Sequence, residues 1–129
     1  MMNHFLWNLY TRLRNGQIAK KIQILQPRNK LCEKVLNLLW REGYILNYRI
    51  SDNDSSMFEV FLKYHENVPA IKQIKVVSKP SRRIYLKSKD LWKINDELQL
   101  IIVSTTRGIL TGKECKKFNL GGEIFCIIK

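Results

Sequence analysis

Acidic residues are missing from the first 32 positions of this chain, and the first to appear is Glu33. Between Ile71 and Lys89 there are again none, against seven basic residues. Alanine occurs only at Ala19 and Ala70, and histidine only at His4 and His65. These absences exclude several classes of protein. A metal-dependent nuclease or hydrolase needs convergent carboxylates, and Asp90, Asp96 and Glu97 form the only local cluster, set among Lys and Trp92 in what reads as a loop. The isolated histidines have no Cys or paired carboxylate at ligand spacing, so no metal site is expected. Cys32, Cys115 and Cys126 are odd in number and widely spaced, which offers neither a disulfide framework nor a zinc signature and fits a reducing compartment. No apolar run approaches the roughly 18 residues of a membrane span.

What is present is positive charge. The formal net charge is +12 over 129 residues, from 23 Lys+Arg against 11 Asp+Glu. Concentrated in patches, such a charge attracts a polyanion, and nucleic acid is the leading partner. Acidic lipids would call for a basic amphipathic helix or a juxtamembrane cluster, and neither is evident.

Hydrophobic periodicity divides the chain into two small lobes, an α+β organisation. The first, residues 1–65, reads helix, strand, helix, strand, strand. Phe5, Leu6, Leu9, Tyr10 and Leu13 share one face of a helix that Asn15-Gly16 would stop, leaving Arg12 and Arg14 off that face. A strand over Lys20 to Gln26 meets Pro27. Asn29 caps a second helix that runs to Arg41, with a stripe of Leu31, Val35, Leu38 and Leu39 and an end marked by Gly43. Tyr44 to Ile50 and Met57 to Tyr64 alternate as strands around a polar hairpin loop. His65 to Ala70, with Pro69 and no hydrophobic period, is the expected linker. The second lobe, residues 66–129, reads as mostly β with one short helix. Strands are expected from Ile71 to Val77, over Arg82 to Leu86 after a Ser78 to Ser81 turn, over Leu98 to Ser104, and over Glu123 to Ile128. Thr111 and Glu114 have capping-box spacing for a helix over about Gly112 to Phe118.

The last quarter carries the functional signal. Ser104-Thr105-Thr106-Arg107-Gly108 places three hydroxyls beside a cation and a glycine, groups suited to phosphates and 2′-hydroxyls. Gly121-Gly122-Glu123 adds flexible backbone and a carboxylate able to accept from base amino groups. If the strands flanking these segments pair, the two form one surface. The residues leave a second reading open, in which a Ser/Thr-rich turn caps itself with its own hydroxyls. Tyr85, after Arg82 and Arg83, could stack on a base or be an ordinary half-buried strand tyrosine. Arg12 and Arg14, with Lys20 and Lys21, could extend the footprint or be a solvated face.

Four segments also carry a family resemblance. Thr11-Arg12-Leu13-Arg14-Asn15-Gly16, Ser78-Lys79-Pro80-Ser81-Arg82-Arg83-Ile84-Tyr85, the Ser104 to Thr111 run and Gly121-Gly122-Glu123 with the terminal strand resemble the signatures of the ribosomal protein S-eight family of the small subunit. Departures occur at Ser81, where the family usually has glycine, at Asn95-Asp96-Glu97, where a Gly-x-Gly turn is usual, at Cys115 in place of a common alanine, and at the terminal Lys129. The resemblance implies a structural protein without enzymatic activity or cofactor. It implies binding to the central domain of small-subunit rRNA through Ser104, Thr105, Gly108, Gly122 and Glu123, with Thr106 in place of the usual serine. Neighbours would be small-subunit proteins of the S-five and S-seventeen families. The alternative is a non-ribosomal RNA-binding or translational-regulator module. Abundant Ile, Lys and Asn with scarce alanine are what AT-rich coding produces, and the helical pattern begins too early for a cleavable presequence. The expectation is a mitochondrial ribosome in the matrix, with bacterial cytoplasm and plastid as alternatives.

Overall fold

The computed structural model describes residues 4–79, 81–94 and 99–129. It has an α+β fold in two compact units, one ending at Lys72 and the other running Gln73–Lys129. Expectations that fall on the side chain of Phe5, on Pro80, on Asn95-Asp96-Glu97 and on Leu98 lie outside the described residues.

The first unit contains α1 (His4–Ile18), β1 (Gln23–Pro27), α2 (Lys30–Arg41), β2 (Ile45–Ile50), β3 (Met57–Leu62), β4 (Tyr64–His65) and β5 (Val68–Pro69). Its main sheet is antiparallel in the order β1-β3-β2. The helices pack on that sheet because their apolar positions recur at the helical period. Leu6, Leu9 and Leu13 on α1 and Val35, Leu36 and Leu39 on α2 are fully buried, as are Val60 and, almost fully, Leu62 on β3. Each such side chain contributes about 1.5–3 kcal/mol of transfer free energy. On α2, Cys32 and Leu36 join the buried stripe while Leu31 is only half-buried. Asn29 caps α2, its side chain accepting from the Leu31 amide at 2.9 Å.

Two expected breaks are not breaks. The Asn15-Gly16 pair does not stop α1, which continues to Ile18. Glycine inside a helix costs about 1 kcal/mol relative to alanine, but a Cβ at Gly16 would stand 2.6 Å from Ile24 Cγ2 and 3.0 Å from Leu62 Cδ1. The residue is needed for close helix–sheet approach. The expected linker also has structure, since β4 and β5 pair as a hairpin. Its turn residues Glu66 and Asn67 both have positive φ, 50° and 67°, the hand that suits a two-residue hairpin. Two-residue strands are too short to show alternation in the sequence. Beyond them, the Ile71 amide donates to Gln17 Oε1 of α1, so the first unit extends past the hairpin.

The second unit contains β6 (Ile74–Val76), β7 (Tyr85–Leu86), α3 (Ser88–Leu91), β8 (Leu100–Thr105), β9 (Gly108–Thr111), α4 (Gly112–Phe118) and β10 (Gly122–Ile128). Strand β10 is the hub, pairing antiparallel with β6, β7 and β8, while β9 pairs with the far side of β8. Leu91, Ile101, Val103, Cys115 and Ile124 form one core cluster, with Leu86, Leu110 and Ile127 packed against them, and Ile102, Phe125, Cys126 and Ile128 are fully buried as well. The unit has two helices among its described residues rather than one. The Asp90 segment, expected as a loop, forms α3, whose first turn is tied by the Lys87 amide donating to Asp90 Oδ2. A single helical turn lies below what periodicity can detect. Helix α4 matches its expected bounds, with a reciprocal capping box: the Glu114 amide donates to Thr111 Oγ1 at 3.1 Å and the Thr111 amide to Glu114 Oε1 at 3.2 Å. It ends on Asn119 in the left-handed region, φ 55°.

Candidate nucleic-acid interface

The register between β10 and β8 sets Glu123 directly opposite Ser104, and the register between β10 and β7 sets Glu123 opposite Tyr85. Residues directly opposite in an antiparallel ladder share a face. Ser104, Glu123 and Tyr85 therefore form one row across three strands. Next to Ser104, β8 reverses into β9 through a turn at Thr106 and Arg107, closed by the Thr105–Gly108 pair. The Ser104 to Thr106 run is thus mostly strand, with Thr106 and Arg107 left at the tip.

The three hydroxyls are not equivalent. Thr105 Oγ1 donates to the Gly108 carbonyl at 2.9 Å and accepts from the Arg107 amide at 3.1 Å. It caps its own turn, as Ser/Thr turns do. Thr106 and Arg107 are exposed, and Ser104 is half-buried. Gly108 has φ of 112°, a conformation that the tight reversal requires and that side chains disfavour.

The other glycines serve the chain's own packing. A Cβ on Gly122 would collide with the Ser104 carbonyl oxygen, and one on Gly121 would stand 2.6 Å from the Leu86 oxygen. They let β10 approach β8 and the β7–α3 junction. Glu123 is 5% exposed, and its Oε2 is buried without a hydrogen-bond partner. An unsatisfied buried acceptor costs about 1–3 kcal/mol.

Tyr85 is 63% exposed, so it is not a half-buried strand tyrosine and its ring is open for stacking. Arg82 and Arg83, just before it, are exposed. Their segment is braced from below by a residue that sequence reasoning treated only as part of a turn. Ser78 is fully buried and accepts from the Ile84 amide at 2.9 Å, while the Lys79 and Arg82 backbones bond to each other. The signal that could have found it is a serine that directly follows Val76-Val77 at the end of a strand pattern.

In the first unit, Arg14 is exposed and Arg12 is half-buried. Arg12 donates to the Leu25 carbonyl at 2.8 Å and to Asn8 Oδ1 at 3.2 Å, lining an open groove of about 540 Å³ with Asn15, Lys21 and Gln23.

All three cysteines are buried thiols. Burial pushes the Cys32 thiol up to about 11 against the lowering effect of its hydrogen bond with Gln26, and burial followed by the charge of Glu114 pushes up Cys115. Among the described residues no group of His, Cys, Asp or Glu could hold a metal ion, and no helix is long and apolar enough to cross a membrane.

Comparison with known proteins decides the family. The family model described as ribosomal protein S8 matches residues 5–128. The chain belongs to the ribosomal protein S8 family. A relative in Wigglesworthia glossinidia brevipalpis, named small ribosomal subunit protein uS8, is 44% identical over 122 residues, covering 95% of this chain and 94% of the relative. Proteins of the same name in Rhizorhabdus wittichii and Buchnera aphidicola are 47% and 41% identical, each over 92% of both chains. S8 proteins are structural constituents of the small ribosomal subunit, and these relatives are bacterial.

Proposed function

We propose that this S8 protein binds the central domain of small-subunit rRNA as an assembly scaffold and performs no chemistry. The observation that carries this reading is the strand register that aligns Ser104, Glu123 and Tyr85 beside the Thr106–Arg107 tip, with Arg82 and Arg83 on the chain leading in. The parts are complementary to RNA. Arginines meet phosphates, the tyrosine ring stacks on an unpaired base, the exposed Thr106 hydroxyl reaches a backbone or 2′-hydroxyl group, and the Glu123 carboxylate accepts from a base amino group. Backbone contacts hold the protein in register, and the carboxylate and ring supply selectivity. Specific affinity belongs mainly to the second unit, while Arg12 and Arg14 add charge from the first. The proteins of the S-five and S-seventeen families are the proposed neighbours. The host is a ribosome of bacterial type, which fits an AT-biased mitochondrial genome as well as a bacterium.

The test is filter binding of the full chain to transcripts of the separate domains of a bacterial small-subunit rRNA, with sedimentation of the tagged protein through a ribosome gradient. The expected result is preference for the central-domain transcript and co-migration with small subunits. Equal affinity for all transcripts, with the tag absent from the subunit peak, would overturn the reading in favour of a regulator acting on another RNA.

A further inference from the structure

Strand β9 leads away from the hairpin tip and α4 returns toward it, so Phe118, the last residue of α4, lies level with the Thr106–Arg107 turn. The residue is 46% exposed. Two cations attend it: Arg107 Cζ stands 6.0 Å from the ring centroid and Lys117 Nζ 5.6 Å. The acidic residue one helical turn away, Glu114, directs its carboxylate to the Thr111 amide at the far end of α4. Asn119 and Gly121, which follow the ring, are exposed and uncharged. An exposed aromatic flanked by cations, continuous with a polar turn, has the make-up of a single-strand stacking platform.

We propose that Phe118 stacks on an unpaired RNA base at the rim of the hairpin tip, extending the RNA surface around the tip onto the C-terminal end of α4. This rests on the reading of the tip as an RNA surface. The two cations occupy the ring in the free protein. At an exposed site a cation over a ring is a weak attraction, whereas a base stacked on an aromatic is a stronger one. A base therefore displaces a cation from the ring, and the released Arg107 or Lys117 meets the adjoining phosphate. An acidic protein segment fits less well, because it would use the cations and leave the ring without a partner.

Four probes test this with the full chain: a 12-nucleotide oligouridine, a 12-base-pair RNA duplex, the central-domain transcript and polyglutamate. Phe118→Leu keeps apolar bulk and removes the π-face, and Phe118→Tyr keeps the face. The expected result is a loss of about 5- to 100-fold for oligouridine with Phe118→Leu, an unchanged salt slope, little effect on the duplex and normal binding by Phe118→Tyr. Normal oligouridine binding by Phe118→Leu would overturn the proposal. So would a salt slope flattened as much as by Arg107→Gln, since the ring would then only position the arginine. Loss of polyglutamate binding in place of oligouridine binding would assign the ring to an acidic protein segment and also overturn it. If Arg82→Gln/Arg83→Gln and Thr106→Val weaken transcript binding while Phe118→Leu does not, only this proposal fails. If none of them does, the RNA reading of the tip fails as a whole.

Discussion

The two units carry similar charge and use it differently. Up to Lys72 there are 11 basic and 6 acidic residues, and from Gln73 onward 12 and 5, for net charges of +5 and +7. In the first unit, Arg12, Arg28 and Arg49 are tied to their own fold, while Arg14 is exposed. Arg12 donates to the Leu25 carbonyl, Arg28 to the Ser55 carbonyl, and Arg49 pairs with Glu59 at 2.8 Å. In the second, Arg82 and Arg83 are exposed, and Arg107 rests over an aromatic ring from which it can depart. A count of cations therefore does not measure binding capacity. What matters is whether a cation must abandon a structural partner to reach a ligand.

The strongest way to break this contrast is at the backbone of the second unit. Gly122→Ala should cost about 2–3 kcal/mol, because the added Cβ meets the Ser104 carbonyl and the ladder must shift. Urea unfolding reads this directly. Gly108→Ala meets open space and should cost only the left-handed backbone penalty, about 1–2 kcal/mol. Equal stability of Gly122→Ala and wild type would show that the β10–β8 approach is looser than described.

The arginines give the next effect. Replacing Arg82 and Arg83 together by Gln should leave the melting temperature unchanged and reduce the steepness of log K against log salt by about 1.4–1.8, as expected for two lost phosphate contacts. Arg12→Gln should do the reverse, costing about 1 kcal/mol of stability through its lost hydrogen bonds with a smaller change in slope. Matching behaviour of the two variants would erase the distinction between the units.

Within the hairpin the two threonines should separate. Thr105→Val removes a hydroxyl that serves the turn and should lower stability by about 1 kcal/mol. Thr106→Val should leave stability unchanged and weaken RNA binding by about 1–3 kcal/mol if an RNA polar group loses its partner, with little dependence on salt. Binding and unfolding measured on both single variants would show which hydroxyl faces RNA.

The smallest effect is on pH. The Cys32 thiol is raised by burial from 9.0 to about 11, so the unfolded chain ionises first. Its contribution to stability is full below pH 9 and is lost as pH rises toward 11. Cys32→Ser should show a weaker decline over that window in urea titrations. At neutral pH the native thiol should resist alkylation.

Much of the fold was legible because long amphipathic elements announce themselves. The α2 stripe with its Asn29 cap, the β2–β3 hairpin and the Thr111–Glu114 box around α4 each join a period to a terminal signal. What escaped was short or depended on distant contacts. Helix α3 and the β4–β5 hairpin hold too few residues for a period, and Gly16 reads as a helix stop until Ile24 and Leu62 are seen against it. In the candidate site, the residue types were legible and their employment was not. Thr105 and Thr106 are chemically identical in the sequence, yet only the turn decides that one bonds inward and the other stands exposed.

The sequence by itself determined the charge, the order of the longer elements and the family, because each resides in residue identity and local spacing. Tertiary structure decided which polar groups are spent and which are free. The β10–β8 register aligned Ser104 with Glu123, the β10–β7 register added Tyr85, and the return of α4 brought Phe118 level with Arg107. These relations join positions about 10 to 40 residues apart, so they arise only when the sheet forms and the chain's own hydrogen bonds and close approaches have claimed their share.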